Sequence, residues 1–251
     1  MVSSVLVGAP TADPYEYCLE EYAKRAKELS YPNYKVVLAD NSTGDNYAEL
    51  IRKNGLGVVR DIRMEDSRER LAHSRNVLRK MVLDENFDYF LSLEQDVIPP
   101  MEVIERLMRH KKEIVTGVYF KLINLRYVSG GKDVRRVKKM VPLIFKDVPG
   151  VKGKMHFCTS DDVAGERLFK VRFCGVGCIL ISRKVLEKIE FRADTNVRCH
   201  DDYWFCHDAR AAGFEIFCDT SVKCKHMLTQ KDKTLFKEFG KAFDPGEIEK
   251  A

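Results

Sequence analysis

Apolar positions in this chain follow two rhythms that alternate along its first half. Short apolar runs, Val5-Leu6-Val7, Tyr34 to Ala39, Val58-Val59 and Tyr89 to Leu93, have the character of inner strands. Between them, apolar residues return every three or four positions. Cys18, Leu19, Tyr22, Ala26 and Leu29 predict one helix, a short segment around Tyr47 to Arg52 a second, and Leu71, Ser74, Leu78 and Val82 a longer one over 65–83. Asp13-Pro14 marks the start of the first, as an N-cap followed by proline at the first helical position. Strand and helix in alternation predict an α/β fold with a mostly parallel sheet.

The second half is less regular. Val103, Ile104, Leu107 and Met108 predict a helix after Pro100, and Ile114 to Phe120 a strand. Further strands are expected at 141–145, 168–173 and 177–181, then a helix over 185–189. Asp201-Asp202 opens a helix that stops at Gly213, and Phe214 to Cys218 is the last expected strand.

A chain of 251 residues with 45% hydrophobic content can bury one substantial core, and no linker or repeat divides it. No apolar run approaches the roughly 20 residues that cross a bilayer. The opening strand lacks the basic leader of a signal peptide, so a soluble cytoplasmic protein is expected. Several of the eight cysteines (Cys178, Cys206, Cys218) sit in apolar runs and are expected to be reduced core residues. The sharper alternative is zinc, at Cys218, Cys224 and His226 or at Cys199 and His207, although no CxxC pair is present.

The net charge of +5 is unevenly placed. Between Lys121 and Lys154, ten Lys or Arg stand against only Asp133 and Asp147, leaving the rest of the chain net negative. With Gly130-Gly131, Pro149-Gly150 and Gly153, this basic segment predicts an excursion over the surface. Two readings stay open for it: a surface that attracts an anionic partner or phosphate-bearing substrate, and an ordinary solvated hairpin and loop.

Candidate chemistry begins at Glu94-Gln95-Asp96, which follows the apolar strand 89–93 and precedes Val97-Ile98-Pro99-Pro100. Open α/β sheets bind ligands at the carboxyl ends of their strands. Two carboxylates packed there would repel one another unless a divalent cation neutralised them, and oxygen ligands suit a hard ion, Mg2+ or Mn2+. The plainer alternative has Asp96 capping the helix near Pro100 and Glu94 solvated.

Together with the polar strand end Asp40-Asn41-Ser42-Thr43 and the acid pair Asp201-Asp202, the triplet resembles the acid-x-acid signature of the GT-A glycosyltransferases, in particular their inverting, nucleotide-sugar-dependent branch. Val5 to Pro10, Ser74-Arg75-Asn76, Gly175 to Arg183, Asp201 to Cys206 with Gly213-Phe214, and Val222 to His226 extend the resemblance over most of the chain. It implies a Rossmann-like single domain over 1–230, with 1–100 binding the nucleotide, 101–230 the acceptor, and a basic excursion at 121–165. The implied activity is metal-dependent and hexosyltransferase-like, moving a sugar from a UDP- or GDP-sugar to a hydroxyl on a glycan, lipid-linked or protein acceptor.

The resemblance also implies roles. Asp40 would accept from the nucleobase, with Pro10, Thr11, Asn41 and Gln95 in the same donor pocket and Arg75 beside the base or diphosphate. Asp96 would bind the cation, assisted by Glu94 and His226, the imidazole suiting Mn2+ better than Mg2+. Asp202, with Asp201 as the alternative, would be the base that deprotonates the acceptor hydroxyl; the plainer alternative for an Asp at a helix start is an N-cap. Gly175 and Gly177 would let backbone approach the donor sugar or acceptor, and Tyr203 and Trp204 could stack on a sugar ring. Two departures from the family pattern are Glu94, where Asp is frequent, and Asp201, where Glu is frequent.

Lys231 to Phe243 mixes four lysines with Leu235, Phe236, Phe239 and Phe243, predicting a C-terminal amphipathic helix that either packs on the domain or rests peripherally on an anionic membrane. Two rival functions are a sugar nucleotidyltransferase and a non-catalytic basic module binding nucleic acid or an acidic partner. The first would normally carry Arg and Lys in a Gly-rich opening loop, and Gly8 to Asp13 has neither. The second predicts salt-sensitive binding through Lys121 to Lys154.

Overall fold

The computed structural model describes residues 2–129, 132–151, 153–194, 196–197 and 199–227, with backbone alone for 124–129 and 132–137. The expected C-terminal helix lies outside the described residues. The chain begins with β1 (Val5–Thr11), a single 3-10 turn at Asp13–Tyr15, α1 (Glu16–Lys27), β2 (Tyr34–Asp40), α2 (Asn46–Lys53) and β3 (Gly57–Arg60). It continues with α3 (Ser67–Asp84), β4 (Tyr89–Leu93), β5 (Val97–Ile98), α4 (Val103–Met108), β6 (Ile114–Val118), β7 (Phe120–Ser129) and β8 (Lys132–Pro142). After β9 (Ile144–Asp147), β10 (Met155–Phe157), β11 (Leu168–Val171), β12 (Phe173–Cys174) and β13 (Cys178–Ser182) come α5 (Arg183–Leu186), α6 (Asp201–Ala211), β14 (Ile216–Lys223) and β15 (Lys225–His226).

Eight strands form the central sheet in the order β11-β14-β6-β13-β4-β1-β2-β3. Only β13 and β11 run against the others, so the sheet is mostly parallel, as the alternating pattern predicts. Its two faces carry separate apolar layers: Leu6, Phe90 and Ile179 with α3 and α6 on one, Val7, Leu91 and Leu180 with α1 and α4 on the other. That division is the period-two alternation of strands buried on both faces. Because β1, β2, β4 and β6 are parallel, Thr11, Asp40, Leu93 and Val118 all end at one edge, and the site lies there.

Several expectations shift. Asp13 does not cap α1: it lies inside the 3-10 turn, and its N–H is satisfied at 2.8 Å by the Ser42 hydroxyl on the neighbouring strand's loop. Asp96 is not a helix cap either, since the residue preceding α4 is Glu102. The strand expected at 214–218 starts at Ile216 and runs on to Lys223, because the polar run Asp219-Thr220-Ser221 is buried and satisfied from afar. Asp219 meets His110 at 2.7 Å, and the Thr220 amide donates to the Arg167 carbonyl at 3.0 Å. The segment expected as one strand at 141–145 is divided between β8 and β9. All eight cysteines are free thiols and all but Cys199 are buried. No group of three or more metal-ligating side chains occurs among the described residues, so the zinc sets do not assemble. No described helix is long and apolar enough to cross a membrane.

The basic segment begins as the hairpin β7–β8, whose strands pair only with each other, and then folds back as the small sheet β10-β9-β12. Its base is anchored beside the sheet edge, where the Leu143 amide donates to the Tyr119 carbonyl at 3.1 Å.

Close packing of β1 makes one testable demand. A Cβ on Gly8 would lie 2.2 Å from the Val37 carbonyl oxygen and 3.3 Å from a Leu78 methyl, and that backbone cannot yield cheaply. Gly8→Ala is expected to lower unfolding free energy by about 1–3 kcal/mol in urea titrations, the usual cost of overpacking a core; unchanged stability would contradict this packing.

Candidate active site

A cleft of about 370 Å3 opens at the carboxyl edge of the sheet, lined by Arg75, Glu94, Asp96, Asp201, Asp202 and His226, with Tyr15, Tyr17, Tyr119 and Lys121 around them. β4 delivers the acid triplet. Val97 and Ile98, just beyond it, pair antiparallel with β15, and this two-residue pairing sets His226 opposite Val97. His226 Nε2 lies 3.2 Å from Asp96 Oδ2, and its Nδ1 is 2.8 Å from the Phe120 carbonyl oxygen, so both ring nitrogens are fixed. The other Asp96 oxygen, Oδ1, is buried without a hydrogen-bond partner among the described residues. Burial works against the charged imidazole, but the Asp96 carboxylate and the Phe120 carbonyl outweigh it and raise His226 above its ordinary range.

Arg75 projects from α3 between the two groups of acids. Its Nε donates to Asp201 at 2.5 Å, one Nη to Glu94 at 2.6 Å and the other to the Ser92 hydroxyl at 2.8 Å. Glu94 and Asp201 are thereby neutralised within the protein. Asp202 is placed differently. One of its oxygens accepts from the Tyr203 amide at 2.7 Å, and no cation pairs with it among the described residues. Burial first, then the charge of Asp201, push its carboxyl up to about 7.

Other expected site residues are turned away from the cleft. Asp40 is wholly buried: one oxygen accepts from the Ser42 amide at 2.9 Å and its hydroxyl at 2.6 Å, and the other holds Arg60, its register partner on β3. Asn41 donates to the Ser74 hydroxyl at 3.1 Å. Gln95 points into the domain, accepting from Thr11 and bonding Tyr47 and the Tyr15 carbonyl (2.8 Å). Pro10, Thr11, Asp40, Asn41 and Gln95 thus form a buried brace behind the cleft and do not line it, whereas Arg75, Glu94, Asp96, Asp201, Asp202 and His226 are brought together.

Residues the sequence did not single out complete the wall. Tyr15 and Tyr17 stack at 6.4 Å between ring centroids, and burial followed by the Asp96 carboxylate raises both phenols. Tyr119 is buried beneath the acids, accepting from the Gly177 amide at 3.1 Å, with its ring edge-on to His226. A Cβ on Gly175 would sit 2.1 Å from the Tyr119 hydroxyl, and one on Gly177 2.9 Å from Glu94. The glycines therefore make room for Tyr119 and Glu94, and small residues at 175 and 177 were the available signal for a bulky neighbour. Lys121 lines the cleft without an ion-pair partner among the described residues. Trp204 is outside the cleft, with the Arg192 guanidinium 3.8 Å over its ring.

Compared by sequence, the chain matches no family model and no curated protein. Compared by fold, it is similar to the crystal structure of GalNAc-T7 with UDP, GalNAc and Mn2+, at 10% identity and a TM-score of 0.62, over 90% of this chain and 44% of that one. It is also similar to S. aureus TarS, at 15% identity and a TM-score of 0.51, over 92% of this chain and 38% of that one. The chain therefore spans less than half the length of either. The fold they share is the GT-A fold, and the chain has it as a single α/β domain.

The Asp202 environment predicts a pH-dependent stability. The folded state holds this proton more tightly than the unfolded chain, so the contribution is complete below pH 3.8 and is lost as pH rises through about 7. Asp202→Asn, which stays neutral, is expected to raise the melting temperature at pH 8 and leave it unchanged near the low end of that window. A variant less stable than the parent at pH 8 would contradict the assignment.

Proposed function

We propose that the protein is an inverting glycosyltransferase that transfers a sugar from a nucleoside diphosphate sugar to an acceptor hydroxyl with divalent metal assistance. The observation that carries this reading is the pairing, in one cleft, of an orphaned Asp96 oxygen beside His226 with an unpaired, high-affinity proton acceptor at Asp202. The GT-A fold is consistent with it, and the UDP and Mn2+ in the GalNAc-T7 structure belong to that protein.

The residues fit a metal. Asp96 Oδ1 lacks a partner among the described residues, and a carboxylate with an imidazole is a donor set suited to Mn2+. Asp96 and His226 would hold the ion from one side and leave it open to substrate phosphate, as is usual for such ions. When bound, the cation would offset the negative charge that accumulates on the departing diphosphate. Glu94, tied to Arg75, shapes this seat and keeps one oxygen uncommitted.

Asp202 takes the proton from the acceptor hydroxyl. That oxygen attacks the anomeric carbon from the face opposite the diphosphate, and the bond to the phosphate oxygen breaks with its electron pair leaving on the diphosphate. A proton affinity near 7 suits a base at neutral pH, reactive without being permanently protonated. Asp201 is a weaker candidate because Arg75 occupies it. Tyr119 and the two glycines fix the floor on which Glu94 rests, and Tyr15 and Tyr17 close the side next to Asp96.

Screening UDP-, GDP- and dTDP-sugars for hydrolysis with Mn2+ or Mg2+ tests the reading. At least one donor should turn over; Asp96→Ala should lower the rate by 100-fold or more, on the order expected for losing electrostatic stabilisation of a leaving group. Asp202→Asn should abolish transfer and spare donor binding, and the product should have the inverted anomeric configuration by NMR. No response to any donor, or retention of configuration, would refute it.

A further inference from the structure

A second cavity, of about 80 Å3, lies against α6 and is lined by Arg172, Phe173, Tyr203, His207 and Arg210, with Met155 at its edge. Tyr203, His207 and Arg210 recur at helical spacing on one face of α6, beginning at the residue after Asp202. From Tyr203 to Arg210 the helix rises about 10 Å, so the cavity extends along α6 away from the proposed base. Its other wall comes from the folded-back part of the basic segment and from β12.

The charges that face it are mostly cationic. Arg172 pairs with Asp147, whose side chain is 59% exposed. Arg210 is exposed and has no ion-pair partner among the described residues, yet it joins Arg172 and Lys170 in holding the Asp147 carboxyl below its usual range. Asp208, 2.8 Å from His207, is already held by Arg192 through bonds of 2.6 and 2.9 Å. The two guanidinium groups therefore share one acid, Asp147, and the His207 imidazole lies beside them. Beside them the Tyr203 ring lies 6.3 Å from His207, nearly parallel at 26°, and 6.1 Å from Phe173. Guanidinium forks next to aromatic faces recognise an oxyanion carried on a ring-bearing molecule.

We propose that this cavity is an acceptor subsite that binds an oxyanion, a carboxylate or a phosphate, on the part of the acceptor adjoining the hydroxyl presented to Asp202. The inference rests on the glycosyltransferase reading and adds the acceptor's chemical class. Neither the fold nor the acid cluster requires an anionic acceptor.

Trp204 is the only tryptophan in the chain and lies edge-on to Tyr203 at 5.2 Å and to His207 at 5.9 Å, so its emission reports on the cavity without turnover. Methyl β-glucuronide and glucose 6-phosphate are titrated into the full chain, with methyl β-glucoside as the neutral control. At least one anionic probe should shift the emission and bind at least 10-fold more tightly than the glucoside, and the better of the two names the anion. Arg210→Met, at an exposed position, should remove most of that preference, and Arg172→Met should do the same. Donor hydrolysis should be unchanged in both variants. Equal binding of charged and neutral probes, or an undiminished preference in Arg210→Met, overturns the subsite. Absence of donor hydrolysis in the parent overturns the glycosyltransferase reading instead, so the two failures are distinguishable.

Discussion

Arg75 donates from all three guanidinium nitrogens, to Glu94, Asp201 and Ser92, with only 1% of its surface exposed. Four carboxylates converge on this cleft, and without a fixed cation between them their repulsion would disperse the strand end, α3 and the start of α6. A buried charge of this kind is tolerated only when it is paired and hydrogen-bonded. Arg75 meets that condition, and in doing so it divides the acids into two classes. Glu94 and Asp201 are neutralised in place. Asp96 and Asp202 are left without a guanidinium partner among the described residues.

From that division the rest of the cleft follows. Asp96 is fixed by His226, which is fixed in turn by the Phe120 carbonyl, so the proposed metal seat is assembled at the ends of β4, β7 and β15. Asp202 sits beside Asp201 at the helix start. The helix end alone would lower its proton affinity, but burial and the adjacent acid prevail. Tyr119 rises under both sides through the gap left by Gly175 and Gly177. One arginine thus links the two sides of the cleft to which the proposed reaction assigns leaving-group stabilisation and proton transfer.

Much of this was legible in the sequence, where local signals sufficed. The strand 89–93 matches residue for residue because a five-residue apolar run can only be buried on both faces, and the acids at its end then face a ligand edge. Of the six residues at the cleft centre, the four acids stood out by their place at a strand end and a helix start, whereas Arg75 and His226 entered through the resemblance to the GT-A family. What stayed hidden depends on contacts between distant segments. Asp40 has the look of a base-binding acid, but β2–β3 register places Arg60 against it and removes it from the cleft. Gln95 lies between two half-buried acids in sequence yet faces the opposite way, as alternation at a strand end permits. Tyr15, Tyr17 and Tyr119 read as ordinary helix-start and strand residues until the cleft is assembled. The polar run Asp219 to Ser221 reads as a strand end because its partners, His110, Arg109 and Arg167, are at least fifty residues away.

Anomalous scattering from a crystal soaked with Mn2+ and UDP tests the central claim most directly. The account predicts a manganese peak within coordination distance of Asp96 Oδ1 and His226 Nε2, bridged to the diphosphate, with Arg75 still holding Glu94 and Asp201. A peak seated on Glu94 and Asp201 with Arg75 displaced, or UDP bound with no manganese at Asp96, would contradict it.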